Sequence, residues 1–218
     1  MKNKLNLYRK NLVKFFRIGE KRSSKYEFEP DEYPTFTDYL DAIVSTKKWC
    51  VFDLETKNLL KDVNNNVKKL EIALVGIMSI HGKKTNVKFY FEEDVNKVYK
   101  ELLKHELIVG YNVYRFDYPV LSSYIGTKIA FVKLKTFDLF DILCKLYKKY
   151  FSLNDLIYVN FGVQKTINGI NIPEYFNKGK IDVVIDHLEE DLHYTKNLFE
   201  LFLNGNIKLP RGKSLWKK

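Results

Sequence analysis

A chain of 218 residues, 45% hydrophobic and 15% aromatic, can bury one sizeable core with extensions but is short for two independent domains. No apolar run approaches the ~20 residues needed to span a bilayer, and the two cysteines, Cys50 and Cys144, each inside an apolar stretch, argue against a disulfide scaffold or a zinc cluster. The net charge of +10 is uneven: residues 1–25 hold nine Lys and Arg against Glu20 alone, and residues 206–218 hold five with no acid, which leaves the middle slightly acidic. Polyanion-binding arms around an acidic site would produce this pattern, and so would solvated tails. The expectation is an intracellular, cytoplasmic, non-secreted protein without membrane contact; abundant Lys, Asn, Tyr and Ile hint at an AT-rich and viral origin.

In chain order, Leu5, Tyr8, Leu12 and Phe15 fall at helical spacing, with Arg9, Lys10, Lys14 and Arg17 mostly opposite, so the first segment reads as a basic amphipathic helix. Pro30 and Pro34 mark an extended linker, after which Thr35 or Thr37 would cap a helix through Tyr39, Leu40, Ile43 and Val44. From Trp49 the pattern turns β-rich: WCVFDL, LEIALVGIMSI and NVKFYFEE predict a three-stranded meander. VNKVYKELLKH has helical period, ELIVGYN reads as a buried strand, DYPVLSSYI as a helix with proline near its start, and KIAFVKL as a fifth strand. FDLFDILCKLYKKY, SLNDLIYVNFG and IDVVIDHLEEDLHYTKNLFELFL are helical, and the whole order implies an α/β fold, a mixed sheet with helices on both faces.

Three places on this frame carry chemistry. In VFDLET, Asp53 and Glu55 are two apart on a strand and leave the same face, where two like charges among Trp49, Val51 and Phe52 call for a hard divalent cation. Alone, the D-x-E pair equally suits two acids facing water past a strand end. In IVGYNVYRFDYPVL, a buried strand runs through Asn112 and Arg115 to Asp117 at a helix start, where an aspartate also serves as an ordinary cap. In DHLEEDLHYT, His187 and Asp191 are four apart on one helical face, beside an apolar stripe of Leu188, Leu192, Leu198 and Leu201; read alone, this is an acidic surface helix.

Together these stretches resemble the DEDD exonuclease superfamily, and within it the ribonuclease H-like exonuclease domains related to the proofreading domain of B-family DNA polymerases. FDLET matches the first family motif, Asn112 to Asp117 the second, and GKIDVVIDHLEEDLHYTKNLFELF the third, with Asp191 and Thr195 at its metal-binding aspartate and following threonine. The resemblance spans roughly residues 48 to 209 and says nothing of residues 1–47. One departure concerns His187, which stands where the tyrosine subclass has its tyrosine and brings the chemistry of the histidine subclass, whose histidine lies one residue earlier.

What the resemblance implies is a ribonuclease H-like sheet of about five strands. It further implies a 3′ to 5′ exonuclease using two Mg²⁺ or Mn²⁺ ions to clamp the scissile phosphate. Asp53, Glu55, Asp117 and Asp191 would hold the metal, and His187 would act as general base or orient the water. Thr56, Asn112 and Phe116 would contact the substrate, single-stranded ends of nucleic acid with DNA favoured over RNA, and a helicase, polymerase or other replication or repair protein would be the partner. The organisation expected is a basic extension and linker over 1–47, the exonuclease domain over 48–205, and a basic tail over 206–218. A second class stays open, a non-catalytic ribonuclease H-like nucleic-acid-binding or assembly module. No P-loop occurs, and His81, His105 and His193 match no motif.

Overall fold

The computed structural model describes residues 47–210, together with Leu40, Ala42, Val44 and Ser45. The basic helix expected from the sequence, with Arg9, Lys10, Lys14 and Arg17, the linker expected after it, and residues 211–218 lie outside the described residues.

Strands β1 (Trp49–Thr56), β2 (Ile72–His81) and β3 (Lys84–Tyr90) form the expected antiparallel meander. Strands β4 (Leu107–Gly110) and β5 (Thr136–Asp138) add in parallel beyond β1, giving the order β3-β2-β1-β4-β5. Helices α1 (Val95–Leu102), α2 (Asp117–Ile125) and α3 (Ile129–Lys133) belong to one layer; α4 (Leu139–Tyr147), α5 (Leu153–Phe161), α6 (Ile172–Asn177) and α7 (Ile181–Leu203) follow in the second half. β1 is buried on both faces, and its alternation sorts two cores. Trp49 and Val51 pack with Leu192, Leu198 and Phe199 of α7 on one side. Cys50, Phe52 and Leu54 pack with Tyr118, Val120 and Leu121 of α2 on the other. This is the expected mixed sheet with helices on both faces.

One element differs from expectation. KIAFVKL is helical: Ile129–Lys133 forms α3, and the fifth strand is the short TFD segment that follows. Ile129 and Val132, three apart, are buried, while Ala130, Phe131 and Lys133 are exposed, which is one face of a helix; alternation in a strand would have put Ile129, Phe131 and Lys133 together. Helix α6, started by Asn171 and Pro173, is a further element that periodicity did not indicate. Cys50 and Cys144 are both free thiols. No helix among the described residues is long and apolar enough to cross a membrane.

The long helix α7 lies against β1 and β2 because Gly76 removes a side chain where the helix crosses the sheet. Gly76 pairs with Asp53 across the β1–β2 ladder, and a Cβ there would sit 2.7 Å from Leu192 Cδ1 and 3.0 Å from Leu188 Cγ. The close approach carries the polar face of α7 towards the acids of β1. Gly76→Val should therefore cost about 1–3 kcal/mol by overpacking, measured as a lower denaturant midpoint at unchanged slope; an unchanged midpoint would show that the helix has room to spare.

Candidate active site

Asp53 and Glu55 leave β1 on the side of Trp49 and Val51, the side that α7 covers, and the ladder to β2 shifts register between Glu55 and Thr56. Asp117 is the first residue of α2, and its Oδ1 accepts a hydrogen bond from the Leu54 N–H at 3.1 Å, which ties the helix start to the middle of the acidic strand. Asp53 and Asp117 lie close enough that the charge of Asp117 raises Asp53. His187 and Asp191 lie one turn apart on α7, exposed by 3% and 8%, and the imidazole Nε2 is 3.4 Å from Glu55 Oε1 and 3.7 Å from Asp191 Oδ2. All five line one cleft of about 670 Å³.

The electrostatics of this cluster are those of too much negative charge in too little water. Burial holds Asp53 and Glu55 well above the ordinary carboxylate range; repulsion from Asp117 and Asp191 adds to it at Asp53, and from Asp53 and Asp191 at Glu55. Burial also pushes Asp117 up to about 7, against the pull of its hydrogen bonds, and raises Asp191. The counterweight is Lys165, from the segment between α5 and α6, whose buried ammonium pairs with Asp191 Oδ1. Burial first, and then the Lys165 charge, press His187 down to about 3, so its imidazole is neutral at physiological pH.

The residues present fit divalent cations. Four acids held above their usual values need more positive charge than Lys165 brings, and Glu55, His187 and Asp191 offer ligand atoms all within 4.8 Å of one another. Asp53, Glu55, Asp117 and Asp191 would hold such ions; oxygen donors of this kind suit Mg²⁺ and Mn²⁺.

Thr56, Asn112 and Phe116 line the same cleft. Thr56 donates its hydroxyl to the Asn58 carbonyl at 2.8 Å. Asn112 sits at φ 64°, a left-handed conformation that asparagine tolerates, and its side-chain Oδ1 is buried without a hydrogen-bond partner. Two residues of consequence escape sequence reading. Lys165 carries no periodic or motif signal. Asp138 caps α4 by accepting from the Asp141 N–H, and it also accepts from the Asn112 and Tyr114 N–H groups at 2.8 and 2.9 Å, which fixes the turn leading to Asp117. A capping signal in TFDLFD was available for Asp138; its second job across the β4–α2 loop was not. Of the other histidines, His105 is a core residue bonded to Ser79 Oγ at 2.9 Å and to the Glu101 carbonyl at 3.0 Å.

The family model described as RNase_H superfamily matches residues 50–203. That stretch runs from β1 to the end of α7 and contains every acid of the cluster. Comparison with the curated proteins finds no match.

Two changes test the charge balance. Lys165→Met leaves Asp191 buried without its ion partner and should lower the stability of the metal-free protein by about 3 kcal/mol, a loss that excess Mn²⁺ should reduce in denaturant titrations. At Asp117 the folded value near 7 lies above the ordinary 3.8, so the stability contributed by its protonated form is lost as pH rises towards and through 7. In chelator at pH 8, Asp117→Asn should thus unfold at a higher midpoint than the unaltered chain, and the advantage should shrink as pH falls towards 4. Equal midpoints at pH 8 would count against crowding of charge at this position.

Proposed function

Because the chain belongs to the RNase H superfamily, we propose that it is a metal-dependent nuclease, a 3′ to 5′ exonuclease that hydrolyses phosphodiester bonds in single-stranded ends of nucleic acid, DNA in preference to RNA. The observation that carries this reading is the convergence of Asp53 and Glu55 from β1, Asp117 from the start of α2 and Asp191 from α7 on one cleft. A module that only bound nucleic acid would gain nothing from four buried acids that repel one another and the phosphate backbone alike.

Within the cleft the acids form the floor. Divalent cations bound there, Mg²⁺ or Mn²⁺, would polarise the scissile phosphate and lower the pKa of the attacking water. Asp53 and Glu55 are fixed by the sheet, Asp117 by its bond to the Leu54 N–H, and Asp191 by Lys165, so the donors are positioned before substrate arrives. Asn112 lines the cleft, and Phe116 and Phe140 give apolar wall against which a base can stack. Arg115 lies 5.2 Å from the Phe140 ring centroid and 5.6 Å from that of Tyr150, which extends the wall with a cation at the side of the site. Two roles are open to His187 in this arrangement, proton acceptor for the water and donor to a cation.

The direct test is digestion of end-labelled single- and double-stranded DNA and RNA with Mg²⁺, Mn²⁺ or chelator. Release of mononucleotides from the 3′ end of single-stranded DNA, dependent on the added ion, is expected. Asp53→Ala and Asp191→Ala should each lower the rate by more than about 100-fold, since even outer-sphere partners of metal ligands are worth ~10–100-fold. Binding without cleavage under all ions would instead identify a nucleic-acid-binding module, and cleavage that survives both substitutions would place the chemistry elsewhere.

A further inference from the structure

His187 meets its acidic neighbours only at long range. Its side chain is 1% exposed, its Nδ1 is buried without a hydrogen bond, and its Nε2 faces two carboxylates at 3.4 and 3.7 Å. Those separations exceed the ~2.7–2.9 Å of a charge-assisted hydrogen bond, so the ring is not a donor clamped to either acid. The 3.4 Å separation falls where donors that share an ion stand, since ligands about 2.1 Å from a common cation lie roughly 3.0–3.5 Å apart, and one ligand atom each of Glu55, His187 and Asp191 lies within 4.8 Å of the others. With the neutral ring presenting its Nε2 lone pair, one cation would meet the imidazole and both carboxylates at once. Gly169 covers the site at the ring, since a Cβ there would lie 3.7 Å from Nε2, and Lys165 occupies the other oxygen of Asp191, leaving Oδ2 to face the imidazole.

We propose that His187 Nε2 binds the cation directly, forming with Glu55 and Asp191 a centre of one imidazole and two carboxylates that prefers Mn²⁺, or another first-row transition ion, to Mg²⁺. The proposal rests on the functional reading above in requiring a divalent ion at these acids, and deepens it by naming a ligand and an ion class. The chemical ground is donor softness: Mg²⁺ demands oxygen and gives up its waters reluctantly, whereas imidazole nitrogen suits transition ions. A lone proton acceptor at this position would leave the preference between the two ions unchanged when the imidazole is removed.

Pulsed electron paramagnetic resonance of the full chain loaded with less than one equivalent of Mn²⁺ tests this without reference to turnover. The expected result is a nitrogen hyperfine coupling that changes when the histidines are labelled with ¹⁵N and is absent in His187→Phe. Calorimetric titrations should show the preference for Mn²⁺ over Mg²⁺ narrowing by about ten-fold or more in that variant, in line with what ligand environments contribute to affinity. Should His187→Phe fail to fold, the labelled unaltered protein still decides, with Asp191→Ala as the control that assigns the coupling to this centre. Mn²⁺ bound at the acids, lost on Asp53→Ala, yet showing no nitrogen coupling would overturn the ligand assignment while leaving the nuclease reading intact. Failure of Mn²⁺ and Mg²⁺ to bind at all would overturn both.

Discussion

Four carboxylates brought into one poorly hydrated cleft repel one another, and the rest of this structure is arranged around tolerating that repulsion. The sheet supplies the first pair at fixed spacing. The backbone N–H of Leu54 then holds Asp117 against them, and Lys165 offsets part of the charge of Asp191. None of these contacts offsets the burial and mutual repulsion that hold Asp53 and Glu55 well above their ordinary values. Stability surrendered here is returned by two apolar cores that cover β1 on both faces, with Trp49, Phe52, Tyr118 and Phe199 among the largest fully buried side chains.

Bringing Asp191 to the acids of β1 is a packing problem before it is an electrostatic one. A helix of 23 residues, roughly 34 Å at 1.5 Å per residue, must lie flat on the sheet if one turn of it is to reach the end of β1. Gly76, directly across the ladder from Asp53, makes the contact with Leu188 and Leu192 possible, and those leucines flank His187 and Asp191 in sequence. Apolar and acidic residues of α7 thus alternate so that docking of the stripe aims the acids. Asp138 performs the matching task for Asp117: it accepts from the Asn112 and Tyr114 N–H groups, which joins the end of β5 to the turn that delivers Asp117, while its bond from the Asp141 N–H caps α4.

Strand alternation made the shared face of Asp53 and Glu55 legible, and helical spacing did the same for His187 and Asp191, because both are local periodicities that tertiary context did not override. That the two faces meet could not come from either period; it came from the order of three motifs along the chain. The segment Ile129–Lys133 was misread because a short apolar run has no period long enough to separate strand from buried helix. Lys165 was invisible for a different reason. Its segment has no amphipathic pattern, and what sets it apart from other lysines is desolvation beside Asp191, a property of the assembled fold alone.

The proposed chemistry also sets what can hold the substrate. An acidic floor repels a phosphate chain, so affinity that does not wait for cations has to come from contacts indifferent to that charge. Phe116 and Phe140 in the cleft, with Arg115 stacked beside Phe140 and Tyr150, offer planar surface to unstacked bases and one positive group away from the acids. A duplex keeps its bases stacked on each other and cannot use that surface without first being opened, at a cost of a few kcal/mol per unstacked step. On the proposed function a division of labour follows: the aromatic groups would select a frayed or single-stranded end and the acids would hold the cations that supply the chemistry at its terminal phosphodiester, so that binding and cutting would respond differently to removal of the metal.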